Sequence, residues 1–296
     1  MHNRFSLLNR LFPERYGDPY YGRFLYILGC GRSGNTLLRK LLVESFQVYI
    51  PAETYVIPEA LSAFNRSNKF SWDVRVRLVL SFFEYHAEFS TMSMKGLRPV
   101  YEECLGLSIK ERTFGNILEK LFGFIGRSSG FDYALLGDKT PLNIMSIRLI
   151  YRSFPLSNFL FISRHPYDVC YSYLQMGRYG EIEDAARRWR DSHNIWLGFS
   201  SNAKGKKLMA IRYEDLVQKP EGVMRAVQRW LVVEDRKVAV PDNAFWGDIG
   251  AYKHHSMVNS DVSTLSIGKG VRSLSKADKR VIDRIVGDLK AKFSYE

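Results

Sequence analysis

Cysteine is scarce in this sequence, and the three cysteines that occur are far apart. Cys30, Cys104 and Cys170 form no CxxC pair and no Cys/His cluster with metal-ligand spacing, which argues against a structural zinc site. The chain also lacks any apolar run of about 18 residues, the length of a membrane-spanning helix. Its first residues contain no apolar core of the kind found in signal peptides. We therefore expect a soluble protein of the reducing cytoplasm.

Basic residues, in contrast, are in clear excess. The chain has 43 Lys and Arg against 31 Asp and Glu, a formal net charge of +12. A charge of this size favours an anionic partner, such as a phosphate, a nucleic acid, an acidic glycan, an acidic peptide or a membrane headgroup. With 296 residues, of which 46% are hydrophobic, the chain is also long enough and apolar enough to bury a large core.

Short apolar segments alternate with amphipathic helical patterns along most of the chain. The apolar segment at 24–28 precedes a glycine-rich turn and a helical pattern, and the same order returns from residue 132. There the clearest strand is at 158–163, a helix is expected to open at Pro166, and a further strand is expected over 206–215. This rhythm predicts an α/β fold: a P-loop-like parallel sheet flanked by helices. We expect one domain over 1–296, with a helical insertion at 56–127 and a long loop at 241–274.

The turn after the first predicted strand reads GCGRSGNT over residues 29–36. Set against the nucleotide-binding pattern GxxxxGK[ST], Gly29, Gly34 and Thr36 are in register, but Asn35 replaces the lysine. Glycines allow backbone N–H groups to surround an anion, and the following helix adds its positive end. Arg32 supplies a cation within the loop. The turn predicts a phosphate or sulfate site, whereas the missing lysine disfavours an ATP or GTP hydrolase and a small-molecule kinase.

Several motifs together resemble one known family. They occur in order over about residues 24–231 and read GCGRSGNTLLRKLL, IPAETYVIPEAL, GDKTPLNI, FLFISRHPYDVCYSYL and AIRYEDLVQKPEGVMRAVQRWL. This set resembles the sulfotransferases that use 3′-phosphoadenosine 5′-phosphosulfate (PAPS), nearest to the tyrosylprotein sulfotransferases and the bacterial enzymes like them. The resemblance implies that PAPS is the co-substrate, that adenosine 3′,5′-bisphosphate is a product, and that no metal is needed.

The resemblance also implies a donor site built from several parts of the chain. The 5′-phosphosulfate would be held by the loop residues Gly31, Arg32, Ser33, Gly34, Asn35 and Thr36. The 3′-phosphate would be bound by Arg164 and Ser172, the nucleotide would lie near Tyr213, and the late residues Lys269, Gly270 and Arg272 would close over the 3′-phosphate. Asn35 departs from the threonine usual in the family, and because its amide can donate a hydrogen bond we expect altered rather than lost binding.

For catalysis, the resemblance implies three residues. Glu53 would take the proton of the acceptor, Lys139 would stabilise the charge on the departing oxygen, and Arg32 would hold the phosphosulfate. We expect His86 to pack in the insertion, and nothing supports a role for His165, His254 or His255. A serine that acts in the tyrosylprotein enzymes corresponds to Ser256 or Ser260, without a choice between them.

The acceptor implied by the family is a hydroxyl group, and the 56–127 insertion is the expected acceptor side. A glycan or a lipid-linked sugar is favoured, and a tyrosine peptide is the alternative. A different class of function is a non-catalytic nucleotide or nucleic-acid binder with a degenerate phosphate loop. Such a protein would lose polynucleotide affinity steeply with salt and would not depend on the 3′-phosphate of the adenosine.

Overall fold

The computed structural model describes residues 22–92, 95–202, 205–233 and 262–296, and these residues contain a five-stranded sheet. The strands are β1 (Phe24–Gly29), β2 (Val48–Tyr49), β3 (Leu135–Lys139), β4 (Asn158–Ser163) and β5 (Lys207–Arg212). They are ordered β2-β3-β1-β4-β5, and every pairing is parallel. All five strands therefore end at the same edge of the sheet.

Thirteen α-helices are described in these ranges. In the first half of the chain they are α1 (Asn35–Ser45), α2 (Ile57–Arg66), α3 (Trp72–Glu84), α4 (Arg98–Leu105), α5 (Phe114–Ser128) and α6 (Ile147–Ser153). In the second half they are α7 (Pro166–Gln175), α8 (Ile182–Ser200), α9 (Tyr213–Gln218), α10 (Pro220–Leu231), α11 (Lys269–Ser273), α12 (Lys276–Val286) and α13 (Leu289–Lys292). Short 3₁₀ helices occur at Ala87–Met92, Ile109–Glu111, Pro141–Ser146 and Thr264–Ser266.

The middle of the sheet is covered on both faces. Every residue of β1 and β4 is buried, which explains why both segments are almost continuously apolar rather than alternating. Aromatic rings fill one side of the core, where Tyr26 stacks on Phe159 and meets the edge of Phe154. Buried on both faces, these strands form a rigid base for the loops that follow them.

The predicted α/β fold with a parallel sheet is confirmed. The predicted insertion contains four α-helices, and its described residues form no strand. The prediction of a single domain over 1–296 stays a prediction.

Two predicted boundaries differ from the structure. The strand expected to run through 206–215 ends at Arg212, because Glu214 and Asp215 lie in the first turn of α9, where negative charge favours a helix start. In the loop expected at 241–274, the described residues from 262 onward form a 3₁₀ turn and helix α11, and the part up to 261 lies outside the described residues. In the parts of the chain described here, no helix is both long enough and apolar enough to cross a membrane.

Candidate functional site

The predicted site residues follow the carboxyl ends of neighbouring strands. The glycine loop follows β1, Lys139 ends β3, Arg164 follows β4, and Tyr213 follows β5. Register pairs Ile27 with Lys139 across β1 and β3, and Gly29 with Ile162 across β1 and β4. Ligands of open parallel sheets bind at this edge, so the topology alone brings four separate motifs to one place.

The backbone of the glycine loop needs its glycines. Gly34 has a φ of 91°, and a Cβ added there would lie 2.3 Å from the ring of Tyr213. A Cβ on Gly31 would lie 2.3 Å from the hydroxyl of Tyr173. Arg32, between them, has a φ of 66°, a left-handed conformation that is costly for a residue with a side chain. Strained backbone of this kind is concentrated at ligand-binding sites.

Some side chains of the loop hold its backbone in place, whereas others have a hydrogen-bond donor that is not in use. The amide of Asn35 donates one hydrogen bond to the carbonyl oxygen of Cys30 at 2.9 Å, so this side chain braces the loop. The buried hydroxyl of Ser33 has no hydrogen-bond partner among the described residues. The hydroxyl of Thr36 lies 3.5 Å from the Lys139 ammonium. Ser33 therefore has an unused donor in the described loop.

Arg32, Arg164, Ser172 and Tyr213 meet in one cluster. The Nε of Arg32 donates to the hydroxyl of Ser172 at 3.0 Å, and the Nη1 of Arg164 donates to the carbonyl oxygen of Arg32 at 3.1 Å. The guanidinium of Arg164 lies 4.5 Å from the centre of the Tyr213 ring. Burial lowers the pKa of Arg32, and Arg164 acts in the same direction. The Arg164 guanidinium is thus held against the backbone of Arg32 although the two side-chain charges repel.

The late residues of the chain pack against this cluster through Asp168. Its two carboxylate oxygens accept hydrogen bonds from the backbone N–H groups of Gly268 and Gly270, at 2.8 and 2.7 Å. A Cβ on Gly270 would lie 2.1 Å from the carbonyl oxygen of Tyr167, so only glycine permits this approach. The carbonyl of Ser266 accepts from the Nη2 of Arg164 at 2.7 Å.

The other predicted late residues are less closely involved. Lys269 and Arg272 are exposed, and Arg272 donates to the carbonyl of Ile267 at 3.1 Å. The hydroxyl of Tyr213 forms a hydrogen bond with that of Ser266. Asp168, which organises this segment, was missed by the sequence reasoning, whose only signal for it was an acidic residue in the first turn of a helix.

Glu53 and Lys139 form an ion pair, although 86 residues separate them. The Lys139 Nζ lies 2.6 Å from the Glu53 Oε1. The lysine side chain is fully buried, whereas the glutamate side chain is 14% exposed. At this edge of the sheet, a carboxylate that can accept a proton therefore lies in direct contact with an ammonium that can stabilise developing negative charge.

Asp138, next to Lys139, is a further buried acid that the sequence reasoning missed. It accepts hydrogen bonds from the hydroxyl of Thr54 at 2.8 Å, the hydroxyl of Thr140 at 3.1 Å and the amide of Asn143 at 2.8 Å. Burial raises the pKa of Asp138 to about 6, and the three hydrogen bonds offset part of that effect. A polar residue within a predicted strand was its only sequence signal.

The insertion borders the site beside Glu53. Tyr55 has a φ of 56°, and its ring stacks on His86 with 5.5 Å between the ring centres. Burial raises the pKa of Tyr55, and the charge of Glu53 raises it further. A narrow crevice next to Glu53 is lined largely by apolar side chains, among them Phe83, Phe89 and Phe122. These phenylalanines are buried, so on this side of Glu53 the insertion packs as part of the hydrophobic core.

Of the remaining candidates, only His165 lies among the described residues. His165 begins α7, where its Nδ1 accepts from the N–H of Tyr167. His254, His255, Ser256 and Ser260 lie outside the described residues. Across the ranges that the structure describes, no group of three or more His, Cys, Asp or Glu side chains could hold a metal ion.

Comparisons with known proteins agree with this geometry. The model of the Sulfotransferase family matches residues 25–237. The solved sulfotransferase domain from the Synechococcus PCC 7002 olefin synthase has a TM-score of 0.60 and 19% identity, covering 95% of this chain and 98% of that domain. The sulfotransferase domain from the curacin biosynthetic pathway has a TM-score of 0.57 and 22% identity, with 94% and 99% covered. No curated protein sequence matches the chain.

Proposed function

Because the chain belongs to the Sulfotransferase family, we propose that it moves the sulfuryl group of PAPS to a hydroxyl acceptor. The donor carries two anionic groups, a 5′-phosphosulfate and a 3′-phosphate, separated by one ribose. A protein that binds it needs cationic groups from two positions within the width of a nucleotide. The site should therefore contain cationic side chains at two such positions.

The observation that carries the proposal is the contact between Arg32 and Arg164. One arginine comes from the loop after β1, the other follows β4, and the Nη1 of Arg164 lies 3.1 Å from the carbonyl oxygen of Arg32. Planar guanidinium groups suit phosphate and sulfate oxygens because they can donate two parallel hydrogen bonds. We assign Arg32 to the phosphosulfate, and Arg164 with Ser172 to the 3′-phosphate.

Unused donors in the described site fit such a ligand. The Oγ of Ser33 and the Nε of Arg164 are buried without a hydrogen-bond partner among the residues described, and buried polar groups in native proteins are normally paired. The glycine loop adds backbone N–H groups and the positive end of α1, which starts at Asn35. The ring of Tyr213 lies against Arg164 and against Gly34, where it would also border the nucleotide.

The Glu53–Lys139 pair supplies the chemistry of transfer. The bond between sulfur and the bridging phosphate oxygen breaks, a bond between sulfur and the acceptor oxygen forms, and Glu53 takes the acceptor proton. Lys139 is placed to offset the negative charge that develops on the bridging oxygen. General base catalysis typically contributes about 10²–10⁴-fold to the rate.

For the acceptor, two candidates stand side by side. The glycan or lipid-linked sugar favoured by the sequence stays a prediction. The phenylalanines beside Glu53 are buried in the core, so they do not decide between this acceptor and the alternative, a tyrosine peptide.

The test measures transfer and nucleotide binding separately. Purified protein is incubated with labelled PAPS and a panel of glycans, lipid-linked sugars and tyrosine peptides, and label on any hydroxyl supports the proposal. In parallel, adenosine 3′,5′-bisphosphate and adenosine 5′-monophosphate are titrated; we expect the bisphosphate to bind more tightly.

The variant Arg164→Ala should remove most of that preference, because the 3′-phosphate loses its cation. Equal affinity of the wild-type protein for both nucleotides would contradict the proposal. Polynucleotide binding that falls steeply with salt would favour the nucleic-acid binder instead.

A further inference from the structure

We propose that Asp138 is a positioning residue that fixes Glu53 and Lys139 relative to each other. The inference deepens the proposed function and rests on it, since it concerns the same catalytic pair. Asp138 touches neither Glu53 nor Lys139 through a described side-chain hydrogen bond. It acts on the residues beside them in the chain.

Thr54 and Thr140 connect Asp138 to the two catalytic segments. Thr54 follows Glu53, and Thr140 follows Lys139. The two threonine hydroxyls donate to the same oxygen of Asp138, Oδ1, at 2.8 and 3.1 Å. The hydroxyl of Thr140 also accepts from the backbone N–H of Thr54 at 3.1 Å. One carboxylate oxygen thereby ties the segment after β2 to the end of β3.

The second oxygen of Asp138 anchors the assembly to the turn that follows. Oδ2 accepts from the amide of Asn143 at 2.8 Å, and Asn143 lies in the 3₁₀ helix at Pro141–Ser146. Asp138, Thr140 and Asn143 are each no more than 1% exposed, and Thr54 is 3% exposed. The network is buried and satisfied at both carboxylate oxygens, so it is geometrically rigid.

The charge of Asp138 indicates that stability alone does not explain the residue. Among the described residues no Lys, Arg or His forms an ion pair with it, and burial raises its pKa to about 6. A buried carboxylate without a cation opposes folding when it is ionised. The residue instead orients groups that must meet sulfur and oxygen in line, and a displacement of about 1 Å in such groups can cost about 10²-fold in rate.

The experiment removes single hydroxyls and keeps matched controls. At nearly constant shape, Thr54→Val deletes the hydrogen bond to Asp138, and Thr140→Val deletes both the one to Asp138 and the one from the Thr54 N–H. Thr54→Ser and Thr140→Ser keep the hydroxyl. We expect the valine variants to lower kcat by up to about 10²-fold, with the KM for PAPS and the affinity for adenosine 3′,5′-bisphosphate unchanged. The serine variants should restore most of kcat.

Asp138→Ala, which removes the shared acceptor, should lower kcat more than either valine variant. Circular dichroism and thermal unfolding verify that each variant is folded at the assay temperature. If folded valine variants retain the wild-type kcat, the inference is wrong and the proposed function stands. If they lose nucleotide affinity and kcat together, Asp138 only supports the fold, which also overturns the inference. If the wild-type protein neither binds the bisphosphate nor transfers sulfate, the proposed function fails and the inference falls with it.

Discussion

The proposed donor side, with Arg32 and Arg164, and the proposed catalytic side, with Glu53 and Lys139, hold their cations in different ways. On the donor side, Arg32 donates to a hydroxyl, and Arg164 donates to the carbonyl oxygens of Arg32 and Ser266. On the catalytic side, Lys139 contacts a carboxylate directly at 2.6 Å. Neutral partners orient a guanidinium without cancelling its charge, whereas a carboxylate cancels it.

This difference indicates how one site could both attract a nucleotide and stabilise the charge that moves during transfer. Arg32 pairs with no carboxylate in the described chain, whereas Arg164 has Asp168 at 3.8 Å, so the charge of these arginines is cancelled less than that of Lys139 and would attract a highly charged nucleotide. The balanced Glu53–Lys139 pair adds little to attraction at a distance and acts when charge moves between reactants. Donor-side substitutions should therefore change nucleotide affinity, and catalytic-side substitutions should change kcat.

The largest expected effect tests the catalytic side. Glu53→Gln keeps an oxygen that accepts from Lys139 but removes the base, so kcat should fall by about 10²–10⁴-fold. The affinity for adenosine 3′,5′-bisphosphate, measured by calorimetry, should not change. Glu53→Asp is the control that keeps the charge on a shorter side chain. A near-normal rate for Glu53→Gln would show that another group takes the proton.

Arg32→Ala tests the donor side. The variant removes a cation at the glycine loop, so the rate should fall by about 10²–10³-fold, and in contrast to Glu53→Gln the nucleotide affinity should fall with it. Arg32→Lys keeps the charge but loses the planar fork, and it should recover only part of the affinity. If Arg32→Ala lowers the rate but keeps full nucleotide affinity, the expectation that donor-side substitutions change nucleotide affinity is wrong.

A pH experiment sharpens the comparison, because on the catalytic side a buried acid has a raised pKa. The pKa of Asp138 is about 6 in the folded protein against 3.8 ordinarily, so the folded state binds the proton more tightly and wild-type stability falls as pH rises from about 4 to about 6. Asp138→Asn does not titrate. Its unfolding free energy minus that of the wild-type protein should rise by up to about 3 kcal/mol over this range.

Denaturant unfolding at several pH values measures that difference. Arg32→Ala, compared with the wild-type protein in the same way, should give no such slope between pH 4 and 6, because an arginine does not titrate there. If the difference in unfolding free energy between Asp138→Asn and the wild-type protein does not change with pH, burial does not raise the pKa of the Asp138 carboxyl.

The smallest expected effect concerns the glycine loop. Gly34 has a φ of 91°, and the Cβ of an alanine at this position would lie 2.3 Å from the Tyr213 ring. The left-handed backbone alone costs an alanine about 1–2 kcal/mol, and the displaced ring should weaken nucleotide binding. Gly222→Ala is the matched control, because nothing lies within 4 Å of its added Cβ. Equal nucleotide affinity of the two variants would contradict this account of the loop.

Local patterns explain which parts of the molecule could be predicted from the sequence. The strand at 158–163 and the helix beginning at Pro166 match the structure, because apolar runs and an N-terminal proline are local signals. Arg32 and Arg164 could be placed at one edge because parallel strands end together.

Asp138 and Asp168 could not be found in the same way. Their roles come from partners 84 and about 100 residues away in the chain, Thr54 for the first and Gly268 and Gly270 for the second. Asp138 lies in a strand and Asp168 in the first turn of a helix, and both positions can carry an acidic residue for local reasons. The surrounding sequence pattern therefore does not show that either residue makes a tertiary contact. Nor did the loop signature reveal that Asn35 binds back to Cys30.

The unequal exposure of the ion pair has a consequence for repeated turnover. Each transfer would leave one extra hydrogen ion on the protein, which must reach bulk water before the next acceptor arrives. Lys139 has no exposed side-chain surface, whereas 14% of the Glu53 side chain is open to solvent. Glu53 could therefore pass that proton directly to water, without a relay through the interior.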